Sequence, residues 1–262
     1  MPELPEVEVL VRHLKPLLRD QVICGVSVRR ARVLRPTSEA KLRRALVGSS
    51  FVNLTRRGKY LLFTLRPARS RETFPLLGHL GMTGRMYLLP ANAALPKHAV
   101  VVLRLARGQF VFEDPRYFGR LTLDASAVSA LGPEPLDEHF TAHGLRDALR
   151  RSHQPLKVKL LDQSLIAGLG NIYASETLFR ARLSPRRRAD QLSRRPRAGA
   201  IGAVTVLLVC RCHHLICDTN GSLSPAASPW RTPWRWCAGI PPRFVKPIHR
   251  AWSTISTWIR TT

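Results

Sequence analysis

The sequence predicts an α+β fold: an amino-terminal helix with a two-layer antiparallel β-sandwich, followed by a helical second domain. Apolar residues recur at helical spacing over residues 4–19, where Pro5 suits a first turn because its missing N–H needs no partner there. Short runs of valine, leucine and aromatic residues, separated by turn residues, fill residues 21–123 and are typical of a sandwich or a barrel. After a Pro/Gly break at 131–136, residues 137–183 are predicted to form short helices.

Composition divides the 262 residues into three parts. Residues 1–132 are predicted to form the sandwich domain, residues 133–192 the helical domain, and residues 193–262 an atypical tail. The tail contains all five tryptophans, and its single acid, Asp218, stands against ten lysines and arginines. Such an abrupt change indicates either an unusual, disordered tail or a coding sequence that has left its reading frame.

The net charge of +25, from 42 basic and 17 acidic residues, predicts a polyanionic partner. Nucleic acid and an anionic membrane surface both fit that charge. No apolar run is long enough for a transmembrane helix, and the acidic start does not resemble a secretory signal, so we expect a cytoplasmic protein without a membrane partner. The five cysteines are an odd number concentrated near the end, which argues against a disulfide framework.

The amino terminus carries a potential nucleophile. Removal of Met1 would leave Pro2 with a free secondary amine, and an α-amino group has a pKa of about 7.7–8.0, so part of it is neutral near pH 7. A neutral amine can attack a sugar carbon and form an imine, while Glu3 and Glu6 beside it donate or relay protons. An ordinary capped helix explains the same residues, so this pattern alone leaves both interpretations open.

Several motifs, in order along the chain, strengthen the chemical interpretation. They are PELPEVE (Pro2–Glu8), RRGKYLLF (Arg56–Phe63), HLGMTGR (His79–Arg85), KH (Lys97–His98), EDPRYFGR (Glu113–Arg120), LGPEPL (131–136) and QSLIAGLGNIYASETLFRARLSP (Gln163–Pro185). Over residues 2–190 the chain resembles the formamidopyrimidine-DNA glycosylase family. The resemblance implies a bifunctional glycosylase and abasic-site lyase for oxidised purines, acting through an imine at Pro2 and then β,δ-elimination. It implies no organic cofactor.

The resemblance also assigns roles to individual residues. Pro2 is the nucleophile, Glu3 the general acid, and Lys59 assists the elimination. Glu6 and Glu176 are expected to support these groups. A base that undergoes chemistry must leave the stack, and the resemblance implies that Met82, Arg116 and Phe118 fill the gap, with Arg116 favouring cytosine opposite the lesion.

Further residues are expected to contact the DNA backbone. The glycines of Gly168–Asn171 allow a close approach, the following helix offers its N-terminus to phosphate, and the segment resembles the family's helix–two-turn–helix motif. The other expected contacts are His98, Arg150, Arg151 and Lys157. Tyr117 departs from the family pattern, which commonly has a second basic residue at this position, so one phosphate contact is expected to weaken or to pass to the phenol.

The end of the chain departs further. The family usually ends in a zinc finger with two C-x-x-C pairs, and this chain has none, so the zinc site is expected to be absent although Cys210, Cys212, His213, His214, Cys217 and Cys237 are potential ligands. The finger's arginine and the lesion-capping loop have no assigned equivalent. Our hypothesis is a frameshift near residues 190–198, which fails if neither other reading frame encodes two C-x-x-C pairs.

Three functions remain open at this point. The first is an oxidised-purine glycosylase and lyase acting as a monomer on damaged double-stranded DNA. The second is a relative that prefers oxidised pyrimidines, since the sequence does not display the base pocket directly. The third is a non-catalytic damaged-DNA-binding remnant, favoured by the aberrant tail and opposed by the presence of Pro2, Glu3 and Lys59.

Overall fold

The structure is a computed structural model that describes residues 2–137 and 140–192. Five α-helices and eight β-strands, with three short 3₁₀ helices, make up these residues. The helices are α1 (Leu4–Leu18), α2 (Glu39–Leu46), α3 (Ala142–Arg150), α4 (Leu156–Leu161) and α5 (Asn171–Arg180). The strands are β1 (Ile23–Val28), β2 (Ser50–Arg57), β3 (Tyr60–Arg66), β4 (Phe74–His79), β5 (Arg85–Leu89), β6 (Ala99–Leu105), β7 (Gly108–Glu113) and β8 (Arg120–Thr122).

The predicted two-layer antiparallel sandwich is confirmed. One sheet has the strand order β1-β6-β7-β5 and the other β2-β3-β4-β8, and every pairing between strands is antiparallel. Aromatic rings from both layers meet between them: Phe51 and Phe63 come from one sheet and Phe110 from the other. The Phe63 and Phe110 ring centroids lie 5.7 Å apart, nearly edge to face, a favourable aromatic geometry.

Helix α1 forms as predicted and covers the sandwich. Its apolar side chains recur every three or four positions and are buried against the core, and Pro5 lies in its first turn. Glu3 precedes the helix, and its backbone N–H donates to the Glu6 carboxylate at 2.9 Å, which satisfies a donor that the helix start leaves unpaired.

Helix α2 was not predicted, because the whole of residues 21–123 was interpreted as mostly β. The signal was present in the sequence. Ser38 caps the helix by accepting a hydrogen bond from the Lys41 N–H, and Glu39 pairs with Arg43 one turn later. Leu42 and Leu46, four residues apart, are fully buried.

Helices α3, α4 and α5 build a second apolar core beyond the sandwich. Its buried members include Leu149, Leu156, Leu160, Tyr173 and Leu178. The helical character predicted for residues 137–183 is therefore observed.

A buried ionic network joins this helical part to the sandwich at the 131–136 break. The Glu134 carboxylate accepts hydrogen bonds from Arg56 Nη1 at 2.7 Å, from Arg57 Nη1 at 3.1 Å, and from the backbone N–H of Gly58. Arg57 also donates to the carbonyls of Leu131 and Gly132. These hydrogen bonds hold the 131–136 segment against the β2–β3 turn.

Removing the Glu134 carboxylate is expected to destabilise the protein strongly. The Arg56 side chain is only 8% exposed and would keep Glu8 as its sole carboxylate partner. Glu134→Ala removes one partner of a largely buried ion pair and leaves Arg56 Nη1, Arg57 Nη1 and the Gly58 N–H without this acceptor, so it should lower the free energy of unfolding by about 3 kcal/mol in chemical denaturation. Glu39→Gln breaks a solvent-exposed pair and should cost less than about 0.5 kcal/mol. Similar losses for the two variants would contradict this role for Glu134.

Candidate active site

The carboxylate of Glu3 is enclosed by the start of helix α5. Its oxygens accept hydrogen bonds from the backbone N–H groups of Gly170 at 2.8 Å, Ile172 at 2.8 Å and Tyr173 at 3.3 Å. The Glu3 residue is completely buried. A negative group at a helix N-terminus is stabilised by unpaired N–H donors and by the helix dipole. The start of α5 was predicted to offer its N–H groups to a DNA phosphate, but three of them bind the Glu3 carboxylate instead.

Glycines make this contact possible. A Cβ at position 170 would lie 2.4 Å from Glu3 Cδ, so a side chain there would displace the carboxylate. Gly168 adopts φ of +85°, which favours glycine, and its carbonyl accepts the Leu4 N–H at 3.1 Å. Pro2 is buried next to Glu3.

Glu6 links the amino terminus to α5 from a second direction. One of its carboxylate oxygens accepts the Glu3 N–H, and the other accepts the Tyr173 hydroxyl at 2.8 Å. Sequence reasoning identified Glu6 as a supporting residue but missed Tyr173. The NIYASE segment that contains this tyrosine was interpreted only as a DNA clamp.

Lys59 occupies the tight turn between β2 and β3, behind Gly58, whose φ of +57° suits a two-residue hairpin. Burial lowers the pKa of Lys59, and the nearby negative charges of Glu3 and Glu6 oppose that shift. Burial also raises the pKa of Glu3, against the opposing effects of its backbone donors and of Lys59. The lysine is thus nearer its neutral form and the glutamate nearer its protonated form, as a base and an acid require.

His79 is a half-buried neighbour of Lys59 that sequence reasoning did not single out. In the sheet register it lies between Tyr60 and Arg120, and its Nδ1 accepts the Gly81 N–H at 3.2 Å. Burial, with the positive charges of Lys59 and Arg120, lowers the pKa of His79 to about 4. The imidazole is therefore neutral at pH 7.

This neutral histidine should make the protein sensitive to mild acid. The folded pKa of about 4 lies below the ordinary 6.5, so the unfolded chain binds the extra proton and stability falls as pH drops from 6.5 towards 4. At about 1.4 kcal/mol per pKa unit, the loss approaches about 3 kcal/mol. His79→Gln should flatten the dependence of unfolding free energy on pH in this window. A variant that keeps the wild-type acid dependence would show that other groups cause it.

Asp114 organises a second group of predicted residues. This buried carboxylate accepts the Thr83 hydroxyl at 2.7 Å, the Arg116 N–H at 3.2 Å and the Gly119 N–H at 2.7 Å. Thr83 follows Met82, and the other two donors flank Phe118. One side chain thus fixes both loops that carry the expected gap-filling residues.

The three expected gap-filling residues are brought to one surface. Met82 is 42% exposed and Phe118 is 46% exposed, although both are large and apolar. The Arg116 guanidinium lies over the Phe118 ring, 5.1 Å from its centroid. At Gly81, a Cβ would lie 2.7 Å from the Phe118 carbonyl carbon, so the two loops touch. Solvent-exposed apolar side chains held this firmly are typical of a binding surface.

The other predicted DNA-contacting residues lie elsewhere. Asn171, the first residue of α5, and Arg151, after α3, are exposed, whereas Lys157 and His98 are half-buried. Glu176, which was expected to support the site, accepts a hydrogen bond from Arg180 Nη2 at 2.6 Å, one turn further along α5.

The predictions for the tail, including the six potential zinc ligands, fall outside the described residues. Within residues 2–137 and 140–192, no group of three or more His, Cys, Asp or Glu residues is arranged to hold a metal ion. None of the helices in this same part of the chain is both long and apolar enough to cross a membrane.

Comparison with known families assigns both halves of the chain. Residues 1–121 match the model of the formamidopyrimidine-DNA glycosylase N-terminal domain, and residues 131–209 match that of its H2TH domain. The chain belongs to the formamidopyrimidine-DNA glycosylase family. Similar curated proteins are formamidopyrimidine-DNA glycosylases. The chain is 42% identical to that of Carboxydothermus hydrogenoformans, over 74% of this chain and 70% of the relative. It is 44% identical to that of Moorella thermoacetica, over 79% and 77%.

Solved glycosylase structures share the fold. The structure of MutM in complex with carbocyclic 8-oxo-G containing DNA is 32% identical with a TM-score of 0.70, covering 82% of this chain and 78% of that one. The complex of the Lactococcus lactis enzyme with an abasic site containing DNA is 31% identical with a TM-score of 0.72, covering 82% and 79%. The predicted α+β fold with a helix–two-turn–helix part is confirmed.

The family match also bears on the predicted loss of reading frame. The H2TH model extends through residue 209, beyond residues 190–198, where composition alone located the change. The match to the Carboxydothermus hydrogenoformans relative covers a smaller share, 74% of this chain. The proposed frameshift near residues 190–198 therefore stays a prediction.

Proposed function

We propose that this chain acts in base-excision repair as a bifunctional DNA glycosylase and abasic-site lyase that removes oxidised purines from double-stranded DNA. One observation carries the proposal: a buried Glu3 carboxylate at the start of α5 lies beside Pro2 and faces Lys59. A nucleophile, an acid with raised pKa and an amine with lowered pKa are the groups that imine chemistry requires.

The proposed reaction begins at the amino terminus after removal of Met1. The Pro2 nitrogen attacks C1′ of the damaged nucleotide, and the bond from C1′ to the base breaks as Glu3 supplies a proton to the leaving group. The C1′–O4′ bond then opens, O4′ takes up the proton released by the Pro2 nitrogen and stays on C4′ as a hydroxyl, and the nitrogen lone pair forms the cationic imine, which makes the C2′ proton acidic. Lys59, with its lowered pKa, assists removal of that proton, and the 3′ phosphate and then the 5′ phosphate leave.

The surface that carries Met82, Arg116 and Phe118 is proposed to make the base accessible. An extruded base leaves a gap in the duplex, at a cost of a few kcal/mol for lost stacking. Phe118 and Met82 are exposed apolar wedges of suitable size, and Arg116 offers donors to the unpaired cytosine. The Asp114 hydrogen bonds hold both loops ready before DNA binds.

Purines are favoured over pyrimidines by the comparisons. The solved neighbours include complexes with DNA containing 8-oxo-G and Fapy-dG, both oxidised purines. We also propose that the chain acts as a monomer in the cytoplasm, where bacterial DNA is found.

Covalent trapping tests the proposal. The 262-residue protein is incubated with a duplex carrying 8-oxoguanine opposite cytosine in the presence of borohydride, which reduces an imine to a stable protein–DNA adduct. We expect an adduct, and less of it with thymine glycol. A preference for thymine glycol would establish the pyrimidine alternative. Lesion binding without an adduct would establish a non-catalytic remnant, and trapping restored by a family-type zinc-finger terminus would locate the defect in the tail.

A further inference from the structure

Tyr117 occupies an unusual position between two exposed residues. Its backbone φ is +58°, in the left-handed region, and its ring packs against the sandwich core while Arg116 and Phe118 on either side are exposed. The ring therefore lies beneath the surface that carries the gap-filling residues. This is also the position at which the chain lacks the basic residue common in its family.

An arginine from a distant part of the sequence covers that ring. The Arg30 guanidinium carbon lies 5.4 Å from the Tyr117 ring centroid, at a distance where a cation is attracted to the ring face. Arg30 is exposed, and among the described residues no carboxylate forms an ion pair with it. Within residues 2–137 and 140–192, the one hydrogen bond of its guanidinium, from Nη1 to the Arg29 carbonyl, is long at 3.5 Å.

The geometry of this contact leaves the guanidinium able to bind a ligand. Stacking on a ring uses the face of the guanidinium, whereas its N–H donors lie in the plane and point outward. A fixed guanidinium with outward donors matches the geometry of a phosphate group, which it can bind through two hydrogen bonds. The contact with the ring itself requires none of the Arg30 N–H donors, of which Nη1 alone makes a hydrogen bond within the described residues.

The segment that carries Arg30 is attached at both ends. The Arg29 N–H donates to the Val100 carbonyl at 2.9 Å, and the Thr37 hydroxyl bonds the Thr122 hydroxyl at 2.8 Å. Val100 lies two residues after His98, whose carbonyl accepts the Asp114 N–H at 3.0 Å. Residues 29–37 are therefore held next to the loop that Asp114 organises, on the side of the expected DNA contact His98.

We propose that Arg30, positioned by the Tyr117 ring, binds a DNA backbone phosphate beside the nucleotide step that Phe118 enters. Arg30 thereby supplies, from another segment, the positive charge that position 117 lacks. The location next to the lesion rests on the proposed function, because that function defines where Phe118 enters the duplex.

Salt dependence of binding measures this contact. The full chain is titrated with a duplex carrying a tetrahydrofuran abasic-site analogue opposite cytosine, between about 50 and 200 mM KCl. Losing one phosphate contact reduces the slope of log K against log salt by about 1, so Arg30→Ala should show that reduction. Tyr117→Phe keeps the ring and should keep the wild-type slope. Tyr117→Leu should behave like Arg30→Ala, and the double variant should add nothing further.

Arg107 provides a matched control. It is an exposed arginine in the β6–β7 turn, at the end of β6 opposite to His98, roughly 20 Å away by strand length. Arg107→Ala removes the same charge and should leave the slope within about 0.3 of wild type. Equal slopes for Arg30→Ala and Arg107→Ala would overturn the contact, and a wild-type slope for Tyr117→Leu would overturn the role of the ring. Borohydride trapping judges the proposed chemistry separately, since it does not depend on this slope.

Discussion

Blocking the Pro2 nitrogen is expected to reduce base excision and strand cleavage by at least about a thousandfold, because removing a covalent nucleophile removes the pathway itself. Inserting a lysine between Met1 and Pro2 keeps the initiator methionine in place and converts the amine into an amide, which cannot form an imine. Borohydride trapping on the 8-oxoguanine duplex should then yield no adduct. Pro2→Gly keeps an amine that can still form an imine but loses the ring that restricts the nitrogen's position, so its trapping should fall below that of the wild type.

The structure supplies the alternative that this experiment must exclude. Lys59 is a second amine near the site, and its lowered pKa makes it a possible nucleophile in its own right. If the variant with the inserted lysine still formed an adduct, Lys59 would be the nucleophile and the assignment of Pro2 would be wrong. Undiminished binding to the tetrahydrofuran duplex, with an unchanged melting temperature, verifies that the insertion has not disrupted the buried amino terminus.

Removing the Asp114 carboxylate is the second large effect that we expect. Asp114→Ala leaves the Thr83 hydroxyl and the Gly119 N–H without their acceptor in a buried place, which should cost about 3 kcal/mol of unfolding free energy. Met82 and Phe118 would then lose their fixed positions. Excision of 8-oxoguanine from duplex DNA should fall about a hundredfold, since misplacement by an ångström has effects of that size.

A neighbouring carboxylate distinguishes this role from a general loss of charge. Glu113 is adjacent in sequence, but it accepts the Tyr87 hydroxyl at 2.9 Å and holds neither loop. Glu113→Gln should leave excision within about twofold of wild type, as expected for a group remote from substrate. Asp114→Ala should also retain most of its cleavage of a preformed abasic site in single-stranded DNA, where no stacked base is displaced. An equal loss on both substrates would mean that Asp114 serves the chemistry rather than the loops.

The sequence predicted the helices and strands of this protein better than the long-range hydrogen bonds that join them. Periodicity located α1 and the sandwich, and the motif order located Pro2, Glu3 and Lys59 at one site. Helical spacing in α2 was overlooked because the surrounding strands dominated the interpretation. The attachments of Glu134 and Asp114 were missed for a physical reason. A carboxylate that binds groups 31 or 78 positions away has no local periodicity to reveal it.

The supporting role expected of Glu176 stays a prediction. Its carboxylate pairs with Arg180, one helical turn later on α5. Tyr117 was recognised as a departure from the family, yet its contact with Arg30 depends on how two distant segments pack and is invisible to spacing.

The contact between Glu3 and Gly170 spans 167 positions of the chain, and this separation determines when the amino terminus can become enclosed during synthesis. During synthesis at about 5–20 residues per second, the amino terminus emerges roughly ten to thirty seconds before the segment that encloses it has been made. Pro2 is buried in the finished protein. An aminopeptidase that trims Met1 therefore has roughly this interval in which to act on a nascent chain whose amino terminus is not yet enclosed by α5.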